Sequence, residues 1–304
     1  MKKQKILSVT LNPAIDYSVV VPSFRVEHVN RASGGRRDPG GKGVNAATVT
    51  ARYGIDTAVT GFLGRENSLI FEEHFRNASI RDEFIYINGN TREGIKITDP
   101  KDNVTTDINF SGFTIQPQDT TRFIESFEIL AAAYDWILLT GSLPPGLEPD
   151  FYARLAGIAA EAGARSAVDT SGEPLRLAAE SGAVSLIKPN EHEIKEAFGD
   201  IDPADLLSQV EMVLLSKGEK GSLLYCAEGC YEASVPEVKA VTTVGAGDSF
   251  LAGFVSALVF GKDHADALAF ASATAASKVT KYGPGISEDM PPGSFYDLIR
   301  VRKL

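Results

Sequence analysis

The 304-residue chain reads as an α/β protein: a mostly parallel sheet covered on both faces by helices, with a smaller β-sheet attached. Three observations lead there. From about residue 120 onward, short continuous apolar strands alternate with amphipathic helical stretches. Two stretches nearer the N-terminus, 15–37 and 83–111, break that rhythm with short strands. No apolar run approaches the roughly 18–20 residues that would cross a bilayer.

The elements follow in order. The opening Met-Lys-Lys-Gln-Lys-Ile-Leu-Ser-Val-Thr is basic and lacks the long apolar stretch and cleavage site of a signal peptide, so it reads as a lead into a strand. Tyr17-Ser-Val-Val-Val21 is followed by a polar, β-compatible run to Arg37, and then by a helix at 45–54. Between 83 and 111, Phe84–Ile87, Gly94–Thr98 and Thr105–Phe110 are short alternating strands, separated by the turn formers Asn88-Gly89-Asn90 and Asp102-Asn103. They read as antiparallel. Together the two excursions can form a lid, from about 12–37 and 83–112, over the mouth of the larger sheet. Next, helices at 117–133, 149–162, 173–180 and 203–210 lead into strands at 136–140, 166–169, 184–187 and 212–216. Two more helices, about 246–260 and 263–281, precede Gly283-Pro-Gly285 and the tail. Parallel sheets bind ligands beyond the carboxyl ends of their strands.

Composition narrows the function. Hydrophobic residues make up 43% and charged residues 23%, the mix of a globular enzyme, and the length suits one large α/β domain or two ordinary ones. The formal net charge of −10 argues against nucleic acid as a partner, and an anionic substrate would need a local basic pocket. With no signal peptide and no membrane span, the expected location is the cytoplasm, with no membrane partner. Two cysteines, Cys226 and Cys230, are too few for a tetrahedral zinc site and read as reduced thiols near a hairpin. The four histidines are scattered without metal-ligand spacing, and Trp136 opens a strand as a core residue.

The chemistry concentrates in two glycine-rich runs. In Thr242-Thr-Val-Gly245-Ala246-Gly247-Asp248-Ser249 the glycines stand at a helix N-terminus, where free N–H groups and the helix dipole favour an anion. Asp248 falls in the first turn, able to accept a proton from an attacking hydroxyl. Helix capping alone would explain an Asp and a Ser there. The second run shifts the balance: Pro39-Gly40-Gly41-Lys42-Gly43-Val-Asn45 also leads into a helix, with spacing unlike a Walker A loop. Lys42 offers a cation and Asn45 an amide. Upstream, Asp16 in Leu11-Asn-Pro-Ala-Ile-Asp16 is placed to bond sugar hydroxyls or simply to make a turn.

These two runs, in this order, resemble the signatures of the ribokinase-like, or PfkB, carbohydrate kinases over nearly the whole chain. Thr10–Asp16, the Gly-Gly-Lys-Gly-Val-Asn loop, Asn109-Phe-Ser-Gly112 and Thr140-Gly-Ser-Leu-Pro144 are most similar to the branch that phosphorylates ketose phosphates, the 1-phosphofructokinases and tagatose-6-phosphate kinases. The resemblance implies a single three-layer αβα domain over 1–304 with a β lid, using ATP and Mg²⁺. The acceptor is then fructose 1-phosphate, with tagatose 6-phosphate or fructose 6-phosphate as the alternatives. It implies Asp248 as the base, with the N–H groups of Gly245, Ala246 and Gly247 as the anion hole. Asp16, Gly41 and Asn45 would hold the sugar, and Lys42, Arg92 and Ser142 the phosphate it already carries. Lys188, Asn190, Ser216, Gly218 and Gly221 would line the nucleotide site, with Asn190 and Glu193 organising water around Mg²⁺. Asn190 and Glu193 also spell a capping box. Where many relatives carry Asp, this chain has Thr242 or Thr243, which leaves open the side chain that orients the loop. Exposed lid edges point to a homodimer through the lid. A non-catalytic sugar-phosphate-binding regulator is the reading outside this class, and the intact Asp248 run argues against it.

Overall fold

The computed structural model describes residues 4–102 and 104–304, so Met1–Lys3 and the predicted turn residue Asn103 lie outside the described residues. An 11-stranded sheet forms the body. Within it β1 (Lys5–Thr10) is flanked on one side by β4 (Asp56–Gly64) and on the other by β9 (Trp136–Thr140). β10 (Arg165–Asp169), β11 (Leu186–Ile187) and β12 (Met212–Ser216) continue it in parallel; β13 (Ser222–Cys226), β14 (Gly229–Ala233) and β15 (Val301–Lys303) finish it antiparallel. At the far edge β5 (Arg81–Asp82) and β6 (Ile85–Ile87) both run along β4.

The central strands are apolar on both faces because both faces are covered. Leu7, Val9, Ile137, Leu139, Val168, Val213 and Leu215 point into one core, beneath α3 (Pro117–Ala131), α4 (Phe151–Glu161), α5 (Gly172–Glu180) and α6 (Glu191–Phe198). Ile6, Trp136, Leu138, Ala167, Met212 and Leu214 point into the other, beneath α1 (Lys42–Arg52), α7 (Ala246–Val259) and α8 (His264–Lys278). Period-2 alternation is thus present, hidden in the sequence because neither face is polar. α7 is buried without a break from Asp248 to Ala257, so it is a core helix with one charged residue near its start. No helix among the described residues is long and apolar enough to cross a membrane.

A second, four-stranded sheet has the order β3 (Gly34–Gly40), β2 (Ala14–Val20), β7 (Arg92–Asp99), β8 (Val104–Asn109). Three expectations about the elements are corrected. The predicted strand at 84–87 belongs to the large sheet, so the 83–112 segment joins the small sheet only from residue 92, and the first segment runs on to residue 40. Phe84 decides this: it is buried and stacks on Phe75 of α2 (Leu69–Ala78), with ring centroids 5.8 Å apart, which anchors the chain under β4. The small sheet is also mixed rather than antiparallel, because the chain passes through the large sheet between β2 and β7 and returns in the same direction. Finally, the predicted helix at 203–210 is a single 3₁₀ stretch, Pro203–Ser208, capped by Asp202 and burying only Leu206. That is too little apolar surface to nucleate an α-helix. Cys226 and Cys230 are free thiols on the β13–β14 hairpin. There the fold gathers a trio that sequence spacing does not announce: His264 Nδ1 stands 3.1 Å from Glu228 Oε2 and 3.6 Å from Cys226 Sγ.

Candidate active site

Parallel strands deliver a row of polar residues to one edge. Thr10 of β1 pairs with Thr140 of β9, and Thr140 with Asp169 of β10; Lys188 follows β11, and Ser216 ends β12. At this edge the sheet no longer uses all its backbone groups, and two helix N-termini, those of α1 and α7, face the same space.

Asp169 holds the charges together. It is 1% exposed, and its Oδ1 accepts from Lys42 Nζ at 2.9 Å and lies 3.4 Å from Lys188 Nζ. Burial pushes its pKa up, but Lys188 and Lys42 outweigh burial and hold it below the usual carboxylate range. Burial likewise favours neutral Lys42, yet Asp169 and then Asp248 outweigh it, so the ammonium is held more tightly than usual. Lys42 Nζ is also 3.9 Å from Glu193 Oε1.

Asp248 stands in the first turn of α7, 8% exposed, with its Oδ2 accepting from Asn45 Nδ2 at 2.8 Å. Its pKa is pushed up to about 6, first by burial and then by the charge of Asp169, against Lys42, the Asn45 hydrogen bond and Lys188. That suits a general base, ionised at neutral pH but basic enough to hold a proton. Gly245 caps the helix at φ 78°, a left-handed conformation that strains any L side chain. Thr242 orients the loop, its Oγ1 accepting from the Val244 N–H at 3.2 Å. Ala246 closes the turn by donating to the Thr243 carbonyl, whereas the N–H groups of Gly247 and Asp248 have no acceptor among the described residues and point their dipole out of the helix end.

On one side of this loop lies a cleft whose charged and polar lining includes Asp16, Asn45, Arg36, Lys96 and Lys278. A Cβ at Gly40 would come within 2.5 Å of Asp16 Oδ2, so only glycine leaves the carboxylate room. Asp16 is raised by burial in the face of Lys96, whose Nζ is 3.6 Å from its Oδ1. Beyond it, Asn12, Arg92, Asn109 and Ser142 line a second recess of about 630 Å³. Arg92 is held by backbone carbonyls, Nη2 donating to Asn12 at 3.2 Å and Nη1 to Phe110 at 3.0 Å; Asn12 Nδ2 is 3.3 Å from Ser142 Oγ. On the other side of the loop, Ser216, Gly218, Gly221, Thr243 and Gly247 line a cleft of about 810 Å³ whose remaining wall is largely apolar, with Val238, Phe250, Ala275 and Val279.

The structure therefore brings Asp16 and Asn45 into one cleft, Arg92 and Ser142 into another, and Ser216, Gly218 and Gly221 into a third. Gly41 is the N-cap of α1, packed on Thr10 and Pro13. Lys42 does not join Arg92 and Ser142: the first turn of α1 aims it at the buried Asp169, whose charge it neutralises. Lys188 is 4% exposed, and its Nζ is 3.5 Å from where a Cβ of Gly247 would stand. Asn190 and Glu193 form the capping box of α6 with both bonds at 2.8 Å. Glu193 Oε1 is left over from the box and faces Lys42, an oxygen donor that fits water-mediated contact with Mg²⁺.

Sequence reasoning missed Asp169, Asn12, Lys96 and Lys278. Asp169 carried a usable signal, an Asp ending an apolar parallel strand. Lys278 carried another, a lysine closing the small-residue helix Ala-Ser-Ala-Thr-Ala-Ala-Ser. Lys96 needed the register of the small sheet.

A helix N-terminus opening between two clefts, with a buried carboxylate in its first turn, is an arrangement suited to phosphoryl transfer. The sequence matches the pfkB family of carbohydrate kinases over residues 4–290, and the chain belongs to that family. It is 37% identical to the 1-phosphofructokinase of Rhodobacter capsulatus over 312 aligned positions, covering 98% of this chain and 96% of that one. A Thermotoga maritima structure described as a possible 1-phosphofructokinase superposes with a TM-score of 0.85 at 26% identity, covering 99% of this chain and all of that one. Escherichia coli phosphofructokinase-2, solved with substrates and products, shares the fold with a TM-score of 0.89 at 22% identity, covering 97% of this chain and 99% of that one.

Proposed function

We propose that the chain transfers the γ-phosphoryl group of ATP to the free primary hydroxyl of fructose 1-phosphate, giving fructose 1,6-bisphosphate. The observation that carries this reading is the place of Asp248, buried at the N-terminus of α7 where Ala246 and Gly247 line one cleft and its hydrogen-bond partner Asn45 lines another. The identity to 1-phosphofructokinases over almost the whole chain supports the choice of sugar.

In this reading ATP occupies the cleft of Gly218, Gly221 and Val238, its phosphates directed at the free N–H groups of Gly247 and Asp248 and at Lys188. The sugar lies against Asp16 and Asn45, and its resident phosphate reaches Arg92 and Ser142, where a guanidinium can grip two oxygens. Lys42, tied to Asp169, serves the phosphoryl group in transit rather than the resident phosphate. Asp248 removes the proton of the acceptor hydroxyl as that oxygen attacks. Mg²⁺, when bound, neutralises charge on the nucleotide phosphates; Asn190 and Glu193 are the residues that would order its water. The small sheet acts as a lid that keeps water from competing for the phosphoryl group.

The working form is a cytoplasmic homodimer joined through the small sheet. β8 is an edge strand exposed along its whole length; its Val104 and Ile108, and Phe110 just after it, are exposed at 55%, 45% and 55%. Apolar side chains on an open edge are normally covered.

A panel of sugar phosphates assayed with MgATP tests the substrate. Fructose 1-phosphate should give the highest kcat/KM, ahead of fructose 6-phosphate and tagatose 6-phosphate. A higher value for either 6-phosphate would reassign the acceptor within the family, and no transfer to any of them would remove the kinase reading.

A further inference from the structure

Lys278 closes α8 and is 3% exposed, although its helix turn otherwise presents small residues. Its side chain runs toward the start of α7. Around the point where a Cβ of Gly245 would stand, Lys278 Cε is 3.1 Å away, Asn45 Nδ2 3.6 Å and Asp248 Oδ2 3.8 Å. Three helices thus send a cation, an amide and a carboxylate to one face of the glycine loop. On the opposite face Lys188 Nζ is 3.5 Å from the corresponding point on Gly247. Two buried lysines bracket the loop, Lys188 on the Gly247 side and Lys278 in the lining of the acceptor cleft.

The two lysines differ in what satisfies them. Lys188 is ion-paired with Asp169, and so is Lys42. The one hydrogen bond of the Lys278 ammonium among the described residues goes to the carbonyl of Lys281 at 3.3 Å. An ammonium has three protons to donate, and burying it without a carboxylate partner costs stability. The charged groups facing it are Asp248 from α7, Lys281 from the turn after α8, and Arg36 and Asp38 from β3. Burial and Lys281 lower its pKa to about 8, with Arg36 adding to the effect and Asp248 and Asp38 opposing it. A methionine would fill the same space at lower cost, so packing does not explain a lysine here.

We propose that Lys278 is a positioning residue of the transfer reaction: a fixed positive charge on the acceptor side of Gly245 that holds Asp248 anionic while the hydroxyl proton is taken, and that offsets the negative charge of the incoming phosphates. The proposal rests on the reading of Asp248 as the base. Asp169 repels the Asp248 carboxylate; Lys42 and Lys188 oppose that while ion-paired with Asp169, and Lys278 is a further cation facing it that has no carboxylate partner of its own among the described residues. As an ammonium under the anion hole, it also adds to the field that stabilises charge developing in the transition state.

The test compares Lys278→Met, Lys278→Arg and Asp248→Asn by pH profiles of kcat/KM, with thermal melts of each. In the unaltered enzyme the profile should rise through pH about 6 as Asp248 ionises and fall above about 8 as Lys278 loses its proton. Lys278→Met should lose roughly 10²-fold in kcat, the loss typical of removing one preorganised charge-stabilising group, with KM for ATP unchanged and melting no lower than wild type. Its acid limb should move to higher pH. Lys278→Arg, charged at every accessible pH, should recover most of the turnover and lose the alkaline fall. Wild-type turnover and unshifted limbs in Lys278→Met, beside an inactive Asp248→Asn, would overturn this inference alone. Equal losses in the Met and Arg variants, both melting lower, would make the lysine structural and overturn it as well. Full turnover in Asp248→Asn would remove the reading of the base, and this inference with it.

Discussion

The two sheets of this protein are built from the same strand geometry but are buried to different degrees. In β1, β9, β10 and β12 nearly every side chain is buried, sandwiched between helix layers. In β8 every side chain is exposed, and in β3 burial begins only at Pro39. The groups proposed for chemistry come from the first kind of surroundings: Asp169 and Lys188 from strand ends, Asp248 from a helix buried on all sides. Asp16 and Arg92, proposed to hold the sugar phosphate, come from the second. A close-packed platform holds reacting groups within fractions of an ångström, whereas a half-exposed sheet can shift as a unit and adapt to a ligand.

That division is open to attack at both ends. The largest effect should come from the platform: Asp248→Asn should lower kcat by about 10²–10⁴-fold while leaving both KM values close to wild type. The same change should stabilise the fold. The Asp248 carboxyl is raised to about 6 in the folded protein, so the native state holds a proton that the unfolded chain has already released between about pH 4 and 6. Stability therefore falls as pH rises through that window. At pH 7 the buried carboxylate is a burden that the amide removes, and a thermal melt at pH 7 should find the variant higher than wild type by more than at pH 4. A variant that melts lower at pH 7 would contradict the electrostatic account of Asp248.

An intermediate effect is expected from the small sheet. Losing charged hydrogen bonds to a phosphate is worth about 1.5–3 kcal/mol, so Arg92→Ala should raise KM for the sugar phosphate about 10–100-fold. The turnover at saturation and the KM for ATP should hardly move. A fall in kcat comparable to that of Asp248→Asn would erase the distinction between platform and selector. The smallest effect within a subunit should follow Ile108→Asp on the outer face of β8. Light scattering should then report a monomer for the variant and a dimer for the parent, with the melting temperature of the fold little changed. A mutant of unchanged mass would place the dimer contact elsewhere.

Much of the architecture was legible because burial imposes composition. Strands 136–140 and 212–216 were read to the residue, since a strand covered on both faces must be continuously apolar and its ends must turn polar. The glycine runs were legible for a different reason. The turn into α7 holds Gly245 at φ 78°, a conformation that strains any L side chain, and Asp248 follows in the first turn, where an acidic residue suits the helix dipole. Phe84 shows where such reading stops. Its segment alternates like a lid strand, and its pairing with β4 and the stacking of Phe84 on Phe75, brought in by α2, tie it to the large sheet.

The sequence by itself determined the α/β class, the two glycine loops and Asp248, because each is a local demand of backbone geometry or of apolar periodicity. Tertiary structure alone decided how the charges pair. Lys42 and Asp169 are 127 positions apart and bonded at 2.9 Å; Asn45 and Asp248 are 203 apart and bonded at 2.8 Å. Ion pairing depends on distance in space and on the water excluded around it, and neither is written in the order of residues. That is why Lys42 left the company of Arg92, and why Lys278 came into view only once α8 was laid beside the start of α7.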